Sequence, residues 1–216
     1  MVTRLEFRLR FELMSGLHTT GDRAELWTDK ALALDWHKGR KPIVPATSIK
    51  GWLRENAEKV LRSLGQSVCD GSRPSAICRS RKCLVCQVFG HPREKSPLIF
   101  SDGSFDETLR DTRTNVSLSR HRKASYEERL FTVEVAWSKT FEAKGVGFFS
   151  TLQEAKQAAA ILWLSAKAGF ALGASRSRGL GWLKLKECEF KCDGAVISEE
   201  ELKALVNTWR GGKDEK

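Results

Sequence analysis

The chain has 216 residues and 37 lysines and arginines against 27 aspartates and glutamates, a formal net charge of +10. That length suits one domain with insertions better than two full domains, and no window approaches the ~20 apolar residues of a membrane span. Charge this positive and this evenly spread points to a polyanionic partner, nucleic acid first, ahead of a merely soluble surface.

Residues 3–13 alternate, with Leu5, Phe7, Leu9, Phe11 and Leu13 on one face and Arg4, Glu6, Arg8, Arg10 and Glu12 on the other. This is the pattern of a strand with one buried face, not of a signal peptide, so a cytoplasmic protein without a membrane partner is expected. A polar loop from Ser15 to Pro45 follows, carrying Asp22, Glu25, Asp29 and Asp35. At about 30 residues it is far longer than an ordinary connection, and such loops tend to be functional.

Pro42 and Pro45 keep the chain extended before a helix predicted from about Thr47 to Leu64, with Thr47 or Ser48 as its cap and Ile49, Trp52, Leu53, Val60, Leu61 and Leu64 as its apolar stripe. Lys50 and Arg54 share one face of it. A helix N-terminus beside cations favours bound phosphate. Residues 66–96 form an insertion rich in Cys, Arg, Gly and Pro. Residues 97–101 then read as a short strand, with Asp102-Gly103 as a turn.

Residues 105–130 are polar and basic, and their centre carries Arg113, Arg120, His121, Arg122 and Lys123 with no acid. They are either a solvated hairpin or an arm laid along a duplex. Phe131, Val133, Val135 and Trp137 alternate, which predicts a third strand. Thr151-x-x-Glu154 is a capping box opening a helix that buries Leu152, Ala155, Ala159, Leu162, Trp163, Ala166 and Phe170. A loop from Gly173 to Gly181, with Arg176, Arg178 and Gly179 inside it, precedes a fourth strand; its three glycines let a backbone approach phosphates closely, and its arginines supply charge and planar donors. Ser198-x-x-Glu201 caps a last helix at about 198–209, before a frayed tail GGKDEK. The order β, α, β, β, α, β predicts an α+β, ferredoxin-like fold of the kind RNA-recognition modules use.

The cysteine spacing is Cys69-x8-Cys78-x4-Cys83-x2-Cys86. In a reducing compartment it points to metal before disulfides, and four thiolates close a tetrahedral, structural Zn2+ site. Arg73, Arg79, Arg81 and Lys82 would offset its negative charge. Four ordinary reduced thiols are the alternative, and His91 is the substitute ligand for Cys69. Cys188 and Cys192 read as separate core or surface thiols.

The motifs GLHTTG, PIVPATSIKGWLR, CLVCQVFG and GASRSRGLGW, in that order, resemble the RAMP (repeat-associated mysterious protein) superfamily. Within it they are similar to the backbone subunit of type III CRISPR effector complexes, over nearly the whole chain. The resemblance implies a single domain, 1–216, with a palm core at about 3–14, 46–64, 97–103 and 130–192, a zinc insertion at 66–96 and a thumb hairpin at 105–130. It implies stacking with copies of itself and other effector subunits along a guide RNA. Ser48, Lys50, Arg54 and the Gly/Arg loop (Arg176, Arg178, Gly179, Gly181) would hold the guide backbone. His18 belongs to the first loop, and Arg120, Arg122 and Lys123 to a thumb that intrudes into the guide–target duplex. Asp29, six residues before Asp35, matches the aspartate that cleaves single-stranded target RNA with Mg2+ or Mn2+.

Three functions follow: a guide-RNA-binding backbone subunit with target cleavage, the same scaffold without catalysis, or a stand-alone metal-independent ribonuclease processing precursor guide RNA. The last needs a histidine acid or base, for which His37 is the candidate. The alternative for Asp29 is a turn cap or a pair with Lys30 or Arg23.

Overall fold

The computed structural model describes residues 2–22, 25–37, 39–70, 77–78 and 82–211. In chain order it contains β1 (Thr3–Leu13), β2 (Leu34–Asp35), β3 (Lys41–Pro42), α1 (Ala46–Ser63), α2 (Leu84–Phe89), β4 (Leu98–Phe100), β5 (Ser104–Phe105), β6 (Leu109–Ser119), β7 (Ala124–Trp137), β8 (Thr140–Phe149), α3 (Leu152–Ala168), β9 (Leu183–Cys192), β10 (Ala195–Val196) and α4 (Glu199–Thr208).

The alternation of β1 is realised as predicted, with Leu5, Phe7, Leu9 and Phe11 buried. Its central place lets it pair antiparallel with β8 on one side and β9 on the other. The main sheet runs β10-β9-β1-β8-β4, with β5 also on β8. Stripped of the short edge strands, the order β9-β1-β8-β4 with α1 and α3 as crossovers is the ferredoxin-like arrangement. The core lies between the sheet and the helices: Phe11 stacks on Phe141 with centroids 5.5 Å apart and meets Trp52 edge-on at 5.5 Å. Both predicted capping boxes form, each with its reciprocal pair of hydrogen bonds, at Thr151/Glu154 and Ser198/Glu201.

Leu152 and Phe170, expected to be buried by α3, are exposed, and two expectations about the elements themselves need correction. The third core strand is β8, not 131–137. The alternation at 131–137 belongs to β7, whose ladder partner is β6 in a separate two-stranded ribbon. Two glycines hid β8 in the sequence: a Cβ on Gly145 would lie 2.3 Å from the Ile99 carbonyl oxygen, and one on Gly147 would lie 2.7 Å from Leu98. The close approach of β4 thus takes from β8 the side chains that would have shown its period. The hairpin consequently spans 109–137 rather than ending at 130.

The second correction concerns α1, which has Pro45 at its N-cap and no side-chain cap. Thr47 and Ser48 are not the cap; the Ala46 N–H donates instead to Asp102 Oδ1 at 2.8 Å, from the turn after β4. Among the described residues no helix is long and apolar enough to cross a membrane.

Candidate nucleic-acid interface and metal centre

The N-terminal turns of α1 lie between two cavities. One, of about 420 Å3, is lined by Thr19, Thr20, Ser48, Gly51, Glu55 and Arg176 among others. It brings the first loop, the start of α1 and the Gly/Arg loop to one groove. Arg176 is held there by Glu55, with Nη1 3.4 Å from Oε2. The hydrogen bond from Lys59, then the charge of Arg176, keep the Glu55 carboxyl below its usual value against the opposing effect of burial. Arg178 sits over the Phe131 ring at 5.7 Å, within reach of a cation–π contact.

Lys50 and Arg54 line the other cavity. Arg54 is committed to protein partners: its Nε donates to Glu58 at 3.0 Å and its Nη1 to the Gly90 carbonyl at 3.3 Å. Lys50 forms no ion pair among the described residues, and burial, then the nearby Arg54, push its ammonium below the ordinary lysine value.

The glycines of the 173–181 loop divide into two kinds. A Cβ on Gly173 would lie 2.4 Å from the His18 carbonyl oxygen and one on Gly181 1.8 Å from that of Leu172, whereas Gly179 at φ +81° faces open space. Gly173 and Gly181 therefore permit approach to the protein's own backbone, and only Gly179 leaves room for a ligand. The loop is stitched to residues 16–18 by Ala174 N–H to His18 O (2.9 Å) and Gly181 N–H to Gly16 O (2.8 Å).

His18 is wholly buried, which corrects its expected contact with RNA. Its Nδ1 donates to the Glu134 carbonyl at 2.6 Å, and its Nε2 lies 2.9 Å from the Thr20 hydroxyl. A carbonyl only accepts, so the neutral ring carries its proton on Nδ1 and accepts from Thr20. Burial holds its pKa below the ordinary value despite that backbone bond. His18 braces the loop against β7.

The acidic loop runs alongside β7 through the isolated bridge Lys30–Val133. Asp29 Oδ2 accepts the Thr132 N–H at 2.7 Å and lies 3.3 Å from its hydroxyl. Oδ1 has no hydrogen-bond partner among the described residues. Asp35 ends β2, paired with Lys41 of β3, and its Oδ1 accepts the His37 N–H of the following turn at 2.9 Å. His37 is exposed at this turn. Arg23 lies outside the described residues.

At the far end of the ribbon, Arg120, Arg122 and Lys123 form the exposed tip. The tip is closed by Lys123 N–H to Ser119 O (2.9 Å) and Arg122 N–H to Ser119 Oγ (3.1 Å). Leu118 and Leu130 below it are 68% and 67% exposed, while Ser119 at the end of β6 is buried.

The sulfurs of Cys69, Cys78, Cys83 and Cys86 all lie within 4.8 Å of one another. Cys69 to Cys86 is 3.3 Å and Cys69 to Cys83 is 3.7 Å. Ligands about 2.3 Å from a tetrahedral zinc stand roughly 3.8 Å apart, so the four can hold such an ion with little movement. Burial raises the thiols of Cys69 and Cys86; at Cys83 burial acts the same way, but hydrogen bonds from the Cys69 and Cys86 backbone outweigh it and bring the thiol to about 7. His91 is not part of the cluster, which removes it as a substitute for Cys69; its Nδ1 accepts the Arg93 N–H at 3.3 Å. Lys82 pairs with Glu94, while Arg73, Arg79 and Arg81 lie outside the described residues. Cys188 and Cys192 sit on β9, away from the cluster.

Thr132, Glu134 and Asp102 carry positions that sequence reasoning did not identify. Each acts on a residue 56 to 116 positions away, and no local pattern marks such a partner.

A model of the RAMP superfamily matches residues 11–184. No curated protein matches the sequence. Among solved structures, the chain is similar to one in the cryo-EM structure of the Type III-B Cmr-beta bound to cognate target RNA, with a TM-score of 0.59 and 15% identity. The match covers 87% of this chain but 61% of that one, and it establishes likeness of fold.

Proposed function

This chain belongs to the RAMP superfamily, and from that premise we propose that it is a backbone subunit of a type III CRISPR effector complex, binding guide RNA along a filament of copies and other subunits. The single observation that carries the reading is the convergence of the first loop, the start of α1 and the Gly/Arg loop on one groove lined by Ser48 and Arg176. Gly179 leaves backbone room and Arg178 stands close by on Phe131. Such a site takes phosphates without reading bases. The exposed ribbon, with Arg120, Arg122 and Lys123 at its tip, is the element to reach into a guide–target duplex. The four cysteines would hold a structural Zn2+, which staples a polar insertion that builds little core of its own.

The finer proposal is metal-dependent cleavage of the paired target RNA at Asp29. The carboxylate would offer Oδ1 to Mg2+ or Mn2+, hard cations that prefer oxygen ligands. When bound, such an ion stabilises charge developing on the scissile phosphate. Asp29 itself is oriented by Thr132 of the ribbon, which occupies Oδ2; Oδ1 would be the oxygen offered to the ion. A second reading, a subunit that binds without cleaving, is favoured by that same Thr132 bond, which gives the carboxylate a structural use of its own.

The test is purification of the full chain with its bound nucleic acid, followed by assembly on guide RNA and addition of target. Short RNAs at regular length intervals and a larger particle by gel filtration are expected. A monomer free of RNA overturns the reading. Cleavage that stops with EDTA supports catalysis; cleavage that survives it favours a metal-independent nuclease, and no cleavage favours the structural subunit.

A further inference from the structure

The second cavity beside α1 has a donor without an acceptor. It measures about 490 Å3 and is walled by α1 on one side and by the segment from Phe89 to Leu98, which leaves the cysteine cluster, on the other. His91 lines it. Because Nδ1 accepts the Arg93 N–H, a neutral ring carries its proton on Nε2. That Nε2 is buried and has no hydrogen-bond partner among the described residues. A buried donor left unmatched costs stability, and an oxygen acceptor brought to this wall of the cavity would match it.

The charges around it specify the acceptor. Lys50 and Lys95 line the cavity, and neither forms an ion pair among the described residues. The lining acid, Glu94, is taken by Lys82, and Arg54 is taken by Glu58. What remains is two free ammonium groups and one N–H donor. The segment is held in place: Arg54 reaches the Gly90 carbonyl, His91 and Glu94 exchange two backbone hydrogen bonds of 2.9 and 2.8 Å, and Ser96 Oγ donates to Val88 O at 3.0 Å.

We propose that this cavity binds a backbone phosphate of RNA, with Lys50 and Lys95 supplying charge and His91 Nε2–H the orienting hydrogen bond. It rests on the reading of the chain as an RNA-binding subunit and extends it to residues of the cysteine-stapled insertion. Lys50 lines this cavity and Gly51, its neighbour, lines the groove that holds Arg176. Gly51 has nothing within 4 Å of where a Cβ would stand. A strand crossing α1 there can leave one phosphate on each flank. The acidic side chain of a neighbouring protein is the competing occupant; the juxtaposition with the Arg176 groove across one exposed glycine favours RNA.

The experiment is fluorescence anisotropy of the full chain with two unrelated single-stranded RNAs of equal length, across a salt series. Lys95→Ala and His91→Ala should each weaken both RNAs by about 3- to 10-fold, and Lys95→Ala should flatten the salt slope by ~0.7. Arg93→Ala removes the same charge from the same turn but outside the cavity, and should stay within about twofold of wild type. His91→Gln, which keeps a donor, should recover part of the loss. If the His91 variant fails to fold, Lys95→Gln at an exposed side chain carries the test. Wild-type affinity in the His91 and Lys95 variants, with Arg178→Ala still weakened, overturns this site and leaves the functional reading standing. Loss of self-association with RNA affinity intact overturns it in favour of an acidic protein occupant. A wild type that binds neither RNA removes both this site and the reading.

Discussion

The carboxylate of Asp29 accepts the backbone N–H of Thr132 at 2.7 Å, and the Asp29 N–H in turn donates to the Thr132 hydroxyl at 3.2 Å. A residue of the first loop is thereby fixed to the root of a hairpin more than 100 positions away. The reciprocal pair gives the acid one occupied oxygen and one without a hydrogen-bond partner among the described residues.

Asp29→Ala should slow target cleavage by the assembled complex at least ~100-fold if the free oxygen acts in the transition state, while guide and target binding stay within about threefold. Thr132→Ala keeps the backbone bond and removes only the hydroxyl contacts, so its loss should be smaller, about 10-fold or less. Asp35→Ala, at the end of β2, should lower stability more than rate. Cleavage assays with Mn2+ or Mg2+ alongside thermal melts check all three; equal rates for Asp29→Ala and wild type would leave the non-cleaving subunit.

Elemental analysis of protein purified without chelator should find one zinc per chain. Cys83→Ser should lose it and lower Tm and solubility without removing a catalytic group, because a closed four-thiolate site stabilises the fold rather than doing chemistry. A metal-free wild type, or a Cys83→Ser protein that melts like wild type, would contradict this.

Gly179→Ala and Gly181→Ala separate conformational strain from collision. Both positions have positive φ, but only at Gly181 does the added Cβ meet a backbone oxygen. The first substitution should cost about 1 kcal/mol, and the second about 2–5 kcal/mol as overpacking adds to strain. Urea unfolding measures the difference; equal costs would show that the loop relaxes freely.

His18 makes stability depend on pH in a defined direction. Burial holds its folded pKa below the ordinary histidine value of 6.5. Above that value the ring is neutral in both states and contributes no slope. As pH falls below it, the unfolded chain takes up the proton first, so stability should drop by at most ~1.4 kcal/mol per pH unit until the folded pKa is reached. Denaturant melts of wild type and His18→Gln between pH 7.5 and pH 5 compare the slopes. A slope that persists unchanged in the variant would assign it to other groups.

The features legible in the sequence are those whose physics is local. A strand with one buried face must alternate, and β1 does so residue by residue. A helix start needs its N–H groups matched, and Thr151 and Ser198 meet that need three residues away. The C-x2-C pair offers two thiols from one turn, and the structure brings Cys69 and Cys78 to it. The βαββαβ order, read from such patterns, gave the fold class even with its third strand misplaced.

What only the tertiary structure decided is what depends on partners distant in the chain. The period of β8 was hidden because Gly145 and Gly147 make room for β4, a demand that nothing within ten residues records. Asp102 caps α1, Glu134 sets the tautomer of His18, and Thr132 orients Asp29. Nor does composition tell Gly179, open to a ligand, from Gly181, pressed against Leu172. Periodicity and capping are set by bonds three or four residues long, which the sequence spells out directly. Pairings across a hundred residues form only when the sheet registers, and the same side chains permit many registers until the core selects one.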